Sequence, residues 1–165
     1  VALLAVAVSS VALGGGCSRA ARADLPDGAN ATVVRVVDGD TVVVDVGGRE
    51  EKVRLIGVDT PETVDPRRPV GCFGPQASHH TKQLLPPGSP VQLERDAEER
   101  DRYGRLLAYV HRRPDGLFVN QELIADGYGV TLSIAPNTTF AGRFASVERS
   151  ARDAGKGLWS ACPHQ

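Results

Sequence analysis

The chain of 165 residues contains no methionine and a single tryptophan, and its charges nearly cancel: 19 Lys and Arg against 20 Asp and Glu leave a net charge of −1. Without an excess of either sign, bulk electrostatics gives no sign of a polyanionic partner, so a case for nucleic acid must rest on local arrangement. Cysteine is scarce, at three residues, and no Cys/His cluster has the spacing of a zinc site. No internal repeat or low-complexity tract occurs. No apolar run reaches the ~20 residues of a membrane-spanning helix. Residues 1–16, uncharged and almost all apolar or small, come nearest.

That stretch fits the apolar region of a secretory signal. Two exits from it are open. Leu13-Gly14-Gly15-Gly16-Cys17 resembles a bacterial lipoprotein cleavage site, which would make Cys17 the lipidated N-terminus. Ala21-Arg22-Ala23 is an A-x-A site, and cleavage after Ala23 would free the protein. The expected plan is an export segment at 1–16, a linker at 17–30 and one domain at 31–165, in a cell-envelope lipoprotein or a secreted protein. With Cys17 lipidated or removed, Cys72 and Cys162 remain as an even pair in an exported domain. The expectation is a disulfide from the middle of the chain to its end.

Strand-like patterns begin at Thr32. Segments 32–37 and 42–46 are valine-rich, and 50–58 alternates, with Val53 and Leu55 on one face and Lys52, Arg54 and Ile56 on the other. Gly47-Gly48 between them is a two-residue hairpin turn. The turn fixes a register in which Val42 pairs with Val53 and Thr41 with Arg54. Asp40 and Arg54 then meet at one end of the hairpin, and Asp59 extends past the same end. Segments 90–95 and 105–111 read as two more strands. Helices are expected at 75–85, 119–126 and 139–154. The sum is an α+β, mainly β fold: a five-stranded OB-fold barrel with three packed helices.

Two acidic turns converge on that rim, Asp38-Gly39-Asp40-Thr41 and Asp59-Thr60-Pro61-Glu62. Gathered carboxylates repel unless a cation or a basic group intervenes. Asp40, Asp59 and the carbonyl of Thr60 are hard oxygen donors of the kind that suits Ca²⁺. Glu62, three residues past Asp59, is a candidate general base. Taken alone, each acidic turn reads equally well as a solvated loop. Arg54 can pair with Glu50 or Glu51, or grip a phosphate as negative charge builds. Arg105, at the start of an apolar strand, carries the same two readings. Arg67 and Arg112 read as loop charges, and His79 and His80 as surface histidines without an acidic partner.

Five blocks in order resemble the staphylococcal nuclease (thermonuclease) family: 37–41 (Val-Asp-Gly-Asp-Thr), 54–62 (Arg-Leu-Ile-Gly-Val-Asp-Thr-Pro-Glu), 73–78 (Phe-Gly-Pro-Gln-Ala-Ser), 101–109 (Asp-Arg-Tyr-Gly-Arg-Leu-Leu-Ala-Tyr) and 157–160 (Gly-Leu-Trp-Ser). The resemblance spans about 32–160. It implies an OB-fold with three helices and Ca²⁺-dependent hydrolysis of single- or double-stranded DNA and of RNA, leaving 3′-phosphate ends. It implies that Asp40, Asp59 and the Thr60 carbonyl bind Ca²⁺ and that Glu62 activates water. Arg54 and Arg105 would stabilise the pentavalent phosphate, while Tyr103, with Arg102 before it, would hold a terminal phosphate. One departure stands out. Two tyrosines of the family's nucleotide pocket fall at Leu132 and Ile134, and Tyr128 is the nearest aromatic substitute. A base stacked on an aromatic ring gains ~1–3 kcal/mol, so weaker nucleotide binding or altered base preference is expected. The competing reading is a module that binds nucleic acid or protein without cutting. A monomer is expected, touching a membrane only through a lipid on Cys17.

Overall fold

A computed structural model describes residues 27–67 and 69–162. The expected export segment, Cys17 as the expected lipidation site and most of the linker lie outside the described residues. The elements run β1 (Ala31–Asp38), β2 (Thr41–Asp45), β3 (Glu50–Leu55), β4 (Gly57–Asp59), α1 (Gly74–Leu84), β5 (Pro90–Glu94), β6 (Leu106–Arg112), α2 (Val119–Ala125), β7 (Val130–Leu132), α3 (Ala141–Asp153) and α4 (Leu158–Ala161).

Strands β1, β2, β3, β6 and β5 close into a barrel in that order. The hairpin register is the one expected: Val42 lies opposite Val53 and Thr41 opposite Arg54. Gly47 and Gly48 both have positive φ, 64° and 92°, so the turn residues adopt the conformation that glycine reaches without a Cβ penalty. Closure itself is non-local. Ala31 and Thr32 pair with Val91 and Pro90, and β3 meets β6 in parallel, with Val53 beside Leu106. The interior is filled by Val33, Val42, Val44, Val53, Leu55, Val91 and Val110, all nearly inaccessible. Each such side chain gives up ~1.5–3 kcal/mol of transfer free energy if exposed.

The alternating segment expected at 50–58 is two strands. Gly57 breaks it, with φ of 79° and the Phe144 ring lying where a Cβ would stand, at 2.5 Å. Ile56 is therefore buried rather than facing out with Arg54. After the break β4 leaves the barrel and pairs with β7, which turns Asp59 and Thr60 back across the barrel rim. The buried Asn120 of α2 holds this corner together. Its side chain donates to the carbonyl of Ile56 at 2.8 Å and accepts from the Val110 amide at 2.8 Å. Helices α1, α2 and α3 occur as expected, and α4 is a fourth, short one.

Disulfide Cys72–Cys162 is present. It ties the loop before α1 to the segment after α4. Two expectations about charged surface residues change. Arg112 belongs to β6 and is only part-exposed; it donates to the Leu84 carbonyl at 2.8 Å and pairs with Asp115. His80 has an acidic neighbour after all, Asp126 at 3.5 Å, and its ring stacks on Tyr128 with 4.0 Å between centroids.

Candidate active site

The rim where β1, β3 and β4 end carries one cleft of about 980 Å³, and Asp40, Arg54, Asp59, Glu62, Tyr103 and Arg105 all line it. Its floor begins at the turn between β1 and β2. Gly39 allows a close approach there: a Cβ on it would lie 2.5 Å from the Thr60 hydroxyl. Thr81 of α1, fully buried, donates to the Gly39 carbonyl at 2.7 Å. With the two acidic turns in contact, Asp40 Oδ2 accepts the Thr60 amide at 3.0 Å and the Thr60 hydroxyl at 3.1 Å.

Arg54 joins the carboxylates. Its Nη1 lies 3.2 Å from Asp40 Oδ2, and its Nη2 donates to Asp59 Oδ1 at 2.8 Å. Nη1 also donates to the carbonyls of Leu55 and Val58, at 3.1 and 2.6 Å. Of its two expected settings Arg54 takes neither Glu50 nor Glu51, which pair with Arg35 and with Arg49 and Arg100. Strand alternation explains this for Glu51, while Glu50, on Arg54's own face but four residues back, is taken by Arg35. Arg54 faces the rim, whereas Glu51 sits on the opposite side of β3 with Val53 and Leu55.

Glu62 is fixed by its own backbone. Its Oε1 accepts the amides of Thr63, Val64 and Asp65 at 2.9, 2.8 and 3.1 Å. The Val64 amide above all holds this carboxyl below the ordinary glutamate range, so it is charged at neutral pH. Asp38 stands behind it. Asp38 Oδ1 accepts the Thr63 hydroxyl at 2.5 Å and the Gly39 amide at 2.8 Å. Burial pushes the Asp38 carboxyl up, with Asp40 adding to the effect. The Gly71 amide donates to the Glu62 carbonyl at 2.8 Å, which connects the Glu62 loop to the disulfide one residue further on.

Next to β3 on the same cleft, Asp101 orients Arg105. Arg105 Nε donates to Asp101 Oδ2 at 2.6 Å, and the amides of Tyr103 and Arg105 donate to Asp101 Oδ1 at 2.9 and 3.0 Å. Burial pulls the Asp101 carboxyl upward, but these bonds outweigh it and hold the group below its usual range. Tyr103 is 68% exposed, under Arg105 at 5.5 Å and Arg102 at 4.8 Å from its ring centroid. The hydroxyl of Tyr103 accepts from Arg102 at 2.6 Å.

The residues that fall at the pocket tyrosines stand apart. Leu132 and Ile134 are exposed, and neither lines the cleft; Val130 of β7 does. Tyr128 does not line it either, being stacked on His80 and in tilted contact with Phe73. Sequence reasoning gave no role to Asp38, Thr63 or Asp101. The i, i+4 spacing of Asp101 and Arg105 across a Tyr-Gly turn was the available signal for one of them.

The donor set suits a hard cation. Asp40 and Asp59 already converge on one guanidinium, so positive charge between them relieves their repulsion. Among the described residues no group of three or more Asp, Glu, His or Cys side chains is placed to hold a metal ion by itself. An ion bound there would draw the rest of its shell from backbone carbonyl, water and ligand oxygens, a habit of Ca²⁺.

The staphylococcal nuclease homologue family matches residues 52–161. A thermonuclease of Staphylococcus hyicus is 41% identical over 128 residues, covering 78% of this chain and 74% of that protein. A thermonuclease of Staphylococcus intermedius is 42% identical over 127 residues, with 77% and 74% covered. Endonuclease YncB of Bacillus subtilis is 40% identical over 133 residues, or 79% of this chain and 62% of its own length. The chain belongs to the staphylococcal nuclease homologue family. It is a hydrolase, an endonuclease of the thermonuclease type.

Proposed function

We propose that this protein is an exported, Ca²⁺-dependent nuclease that cuts phosphodiester bonds of DNA, single- or double-stranded, and of RNA, leaving 3′-phosphate ends. One observation carries the reading. A carboxylate kept charged, two carboxylates sharing a cationic partner, and two arginines carried by β3 and by the start of its neighbour β6 all line one cleft.

Asp40, Asp59 and the Thr60 carbonyl are the residues that would hold Ca²⁺. A bound ion would supply Lewis-acid polarisation of a phosphate oxygen. The protein's own groups do the rest. Glu62, ionised by its amide contacts, takes a proton from water as the water oxygen adds to phosphorus. Its other hydrogen-bonded neighbours fix its position, so little reorganisation accompanies that transfer. Arg54 and Arg105 donate to the non-bridging oxygens as negative charge builds. The bond from phosphorus to the 5′ oxygen breaks, and that oxygen takes up a proton from solvent water and leaves as a hydroxyl. Arg102 and Tyr103 hold a terminal phosphate. With aliphatic residues at 132 and 134, outside the cleft, base stacking contributes less and base preference is relaxed or altered.

The protein acts as a monomer. It is secreted after cleavage behind Ala23, or anchored through a lipid on Cys17. The Cys72–Cys162 bridge supports an oxidising location. The mass of the mature N-terminus distinguishes the two exits.

The test is cleavage of single-stranded DNA by the purified protein with Ca²⁺ and then with excess chelator. Cutting is expected only with Ca²⁺. Glu62→Gln should lower kcat by ~10²–10⁴, the usual worth of a positioned base. Binding of DNA with no cutting under any divalent ion would favour a non-catalytic binding module instead.

A further inference from the structure

Strand β3 carries more positive charge into the cleft than the reaction centre uses. Arg54 occupies the rim end. Lys52, two residues earlier on the same face, lies roughly 6.5 Å back toward the hairpin turn. The parallel ladder pairs Val53 with Leu106, and one step back along that register sets Lys52 beside Arg105. Lys52, Arg54 and Arg105 thus form a triangle of cations on the outer barrel wall, and all three line the same cleft.

Their electrostatic circumstances differ. Arg54 is matched by Asp40 and Asp59, and Arg105 by Asp101. The acids next to Lys52 in sequence are taken: Glu50 by Arg35, and Glu51, on the other face, by Arg49 and Arg100. Among the described residues no ion pair or hydrogen bond claims the Lys52 ammonium. Its cross-strand neighbour on β2 is Val43, which offers no charge. A lysine exposed beside two arginines, with no carboxylate of its own, sits where an incoming anion gains most.

We propose that Lys52 is a second phosphate-binding position, gripping a phosphate of the nucleic-acid chain other than the one at Arg54 and Arg105. The ligand class is a polynucleotide with more than one phosphodiester. A lysine is a point charge on a flexible stem, so the contact is blind to base identity and strongly salt-dependent. It favours longer substrates over a single diester. The proposal rests on the nuclease reading only for the identity of the polyanion.

The test measures binding of a labelled single-stranded oligodeoxynucleotide by fluorescence anisotropy, in chelator, across a salt series. Lys52→Gln should reduce the slope of log K against log salt by about 0.7, the value for one single-strand phosphate. Lys52→Arg should restore it. With Ca²⁺, Lys52→Gln should raise KM for the oligonucleotide at unchanged kcat and leave a chromogenic diester with one phosphate unaffected. An unchanged slope, absence of salt-dependent binding by the wild type, or an equal loss on the single diester overturns the proposal. If the slope falls as expected while the wild type cuts nothing, the nuclease reading fails and the Lys52 site stands.

Discussion

Replacing Cys72 by serine and Cys162 by alanine removes the one covalent link between the Glu62 loop and the end of the chain. The bridge spans a sequence separation of 90. For a loop of that size the chain-entropy relation gives about 4.6 kcal/mol at 25 °C. Alanine suits position 162 because Cys162 is buried, and a hydroxyl there would add its own desolvation cost. Serine suits the exposed position 72. Urea unfolding followed by circular dichroism is the assay. With a slope of ~2 kcal/mol/M, the midpoint should fall by on the order of 2 M. Oxidised and reduced wild type should differ by a similar amount. Location adds a second effect. Gly71 donates to the Glu62 carbonyl, so the freed loop holds Glu62 less firmly, and kcat should drop under conditions where the variant is still folded. A stability loss below ~1 kcal/mol together with an unchanged kcat would refute both the entropic argument and the claim that the bridge steadies Glu62.

Two further outcomes follow from buried polar groups. Asn120→Ala leaves the Val110 amide and the Ile56 carbonyl without their partner, at ~1–3 kcal/mol for each buried group; a loss of about 2–4 kcal/mol in urea unfolding is expected, and one below 1 kcal/mol contradicts the role given to Asn120. Burial pushes the Tyr109 phenol up from its ordinary value, and its hydrogen bond to Asp96 at 2.8 Å acts in the same direction. A group raised in the folded state lends stability that is complete below its unfolded value and is lost as pH rises above it, here above about pH 10. Tyr109→Phe should therefore cost ~1 kcal/mol at neutral pH and flatten the fall in melting temperature above pH 10. Parallel falls in variant and wild type would show that another group governs the alkaline limb.

The hairpin of β2 and β3 could be read from the chain because its determinants are local. Gly47-Gly48 sets the turn, the side-chain period of two sets the faces, and together they place Thr41 opposite Arg54. The convergence of Asp40, Arg54 and Asp59 followed from that register without any knowledge of the rest of the barrel. Cysteine parity likewise gave the Cys72–Cys162 pair. Ile56 was misread because the break at Gly57 depends on Phe144 from α3, nearly ninety residues away. The partners of Arg105 and His80 were missed for related reasons. Asp101 reaches Arg105 through a turn conformation that residue types suggest but do not compel, and Asp126 meets His80 only because α1 and α2 are neighbours.

The sequence by itself determined which groups are candidates for the chemistry and which hairpin end presents three of them, since turn type and strand period act between residues near in the chain. Tertiary structure decided that Arg54 and Arg105 line a single cleft, that the loop carrying Glu62 is anchored beside it, and that Lys52 joins them without a carboxylate. Those outcomes come from the closing of β1 on β5, the parallel meeting of β3 with β6 and the anchoring of the loop that carries Glu62. Non-local pairings of that kind are selected by burial of a shared core, a sum over many distant residues that no short stretch of the chain contains.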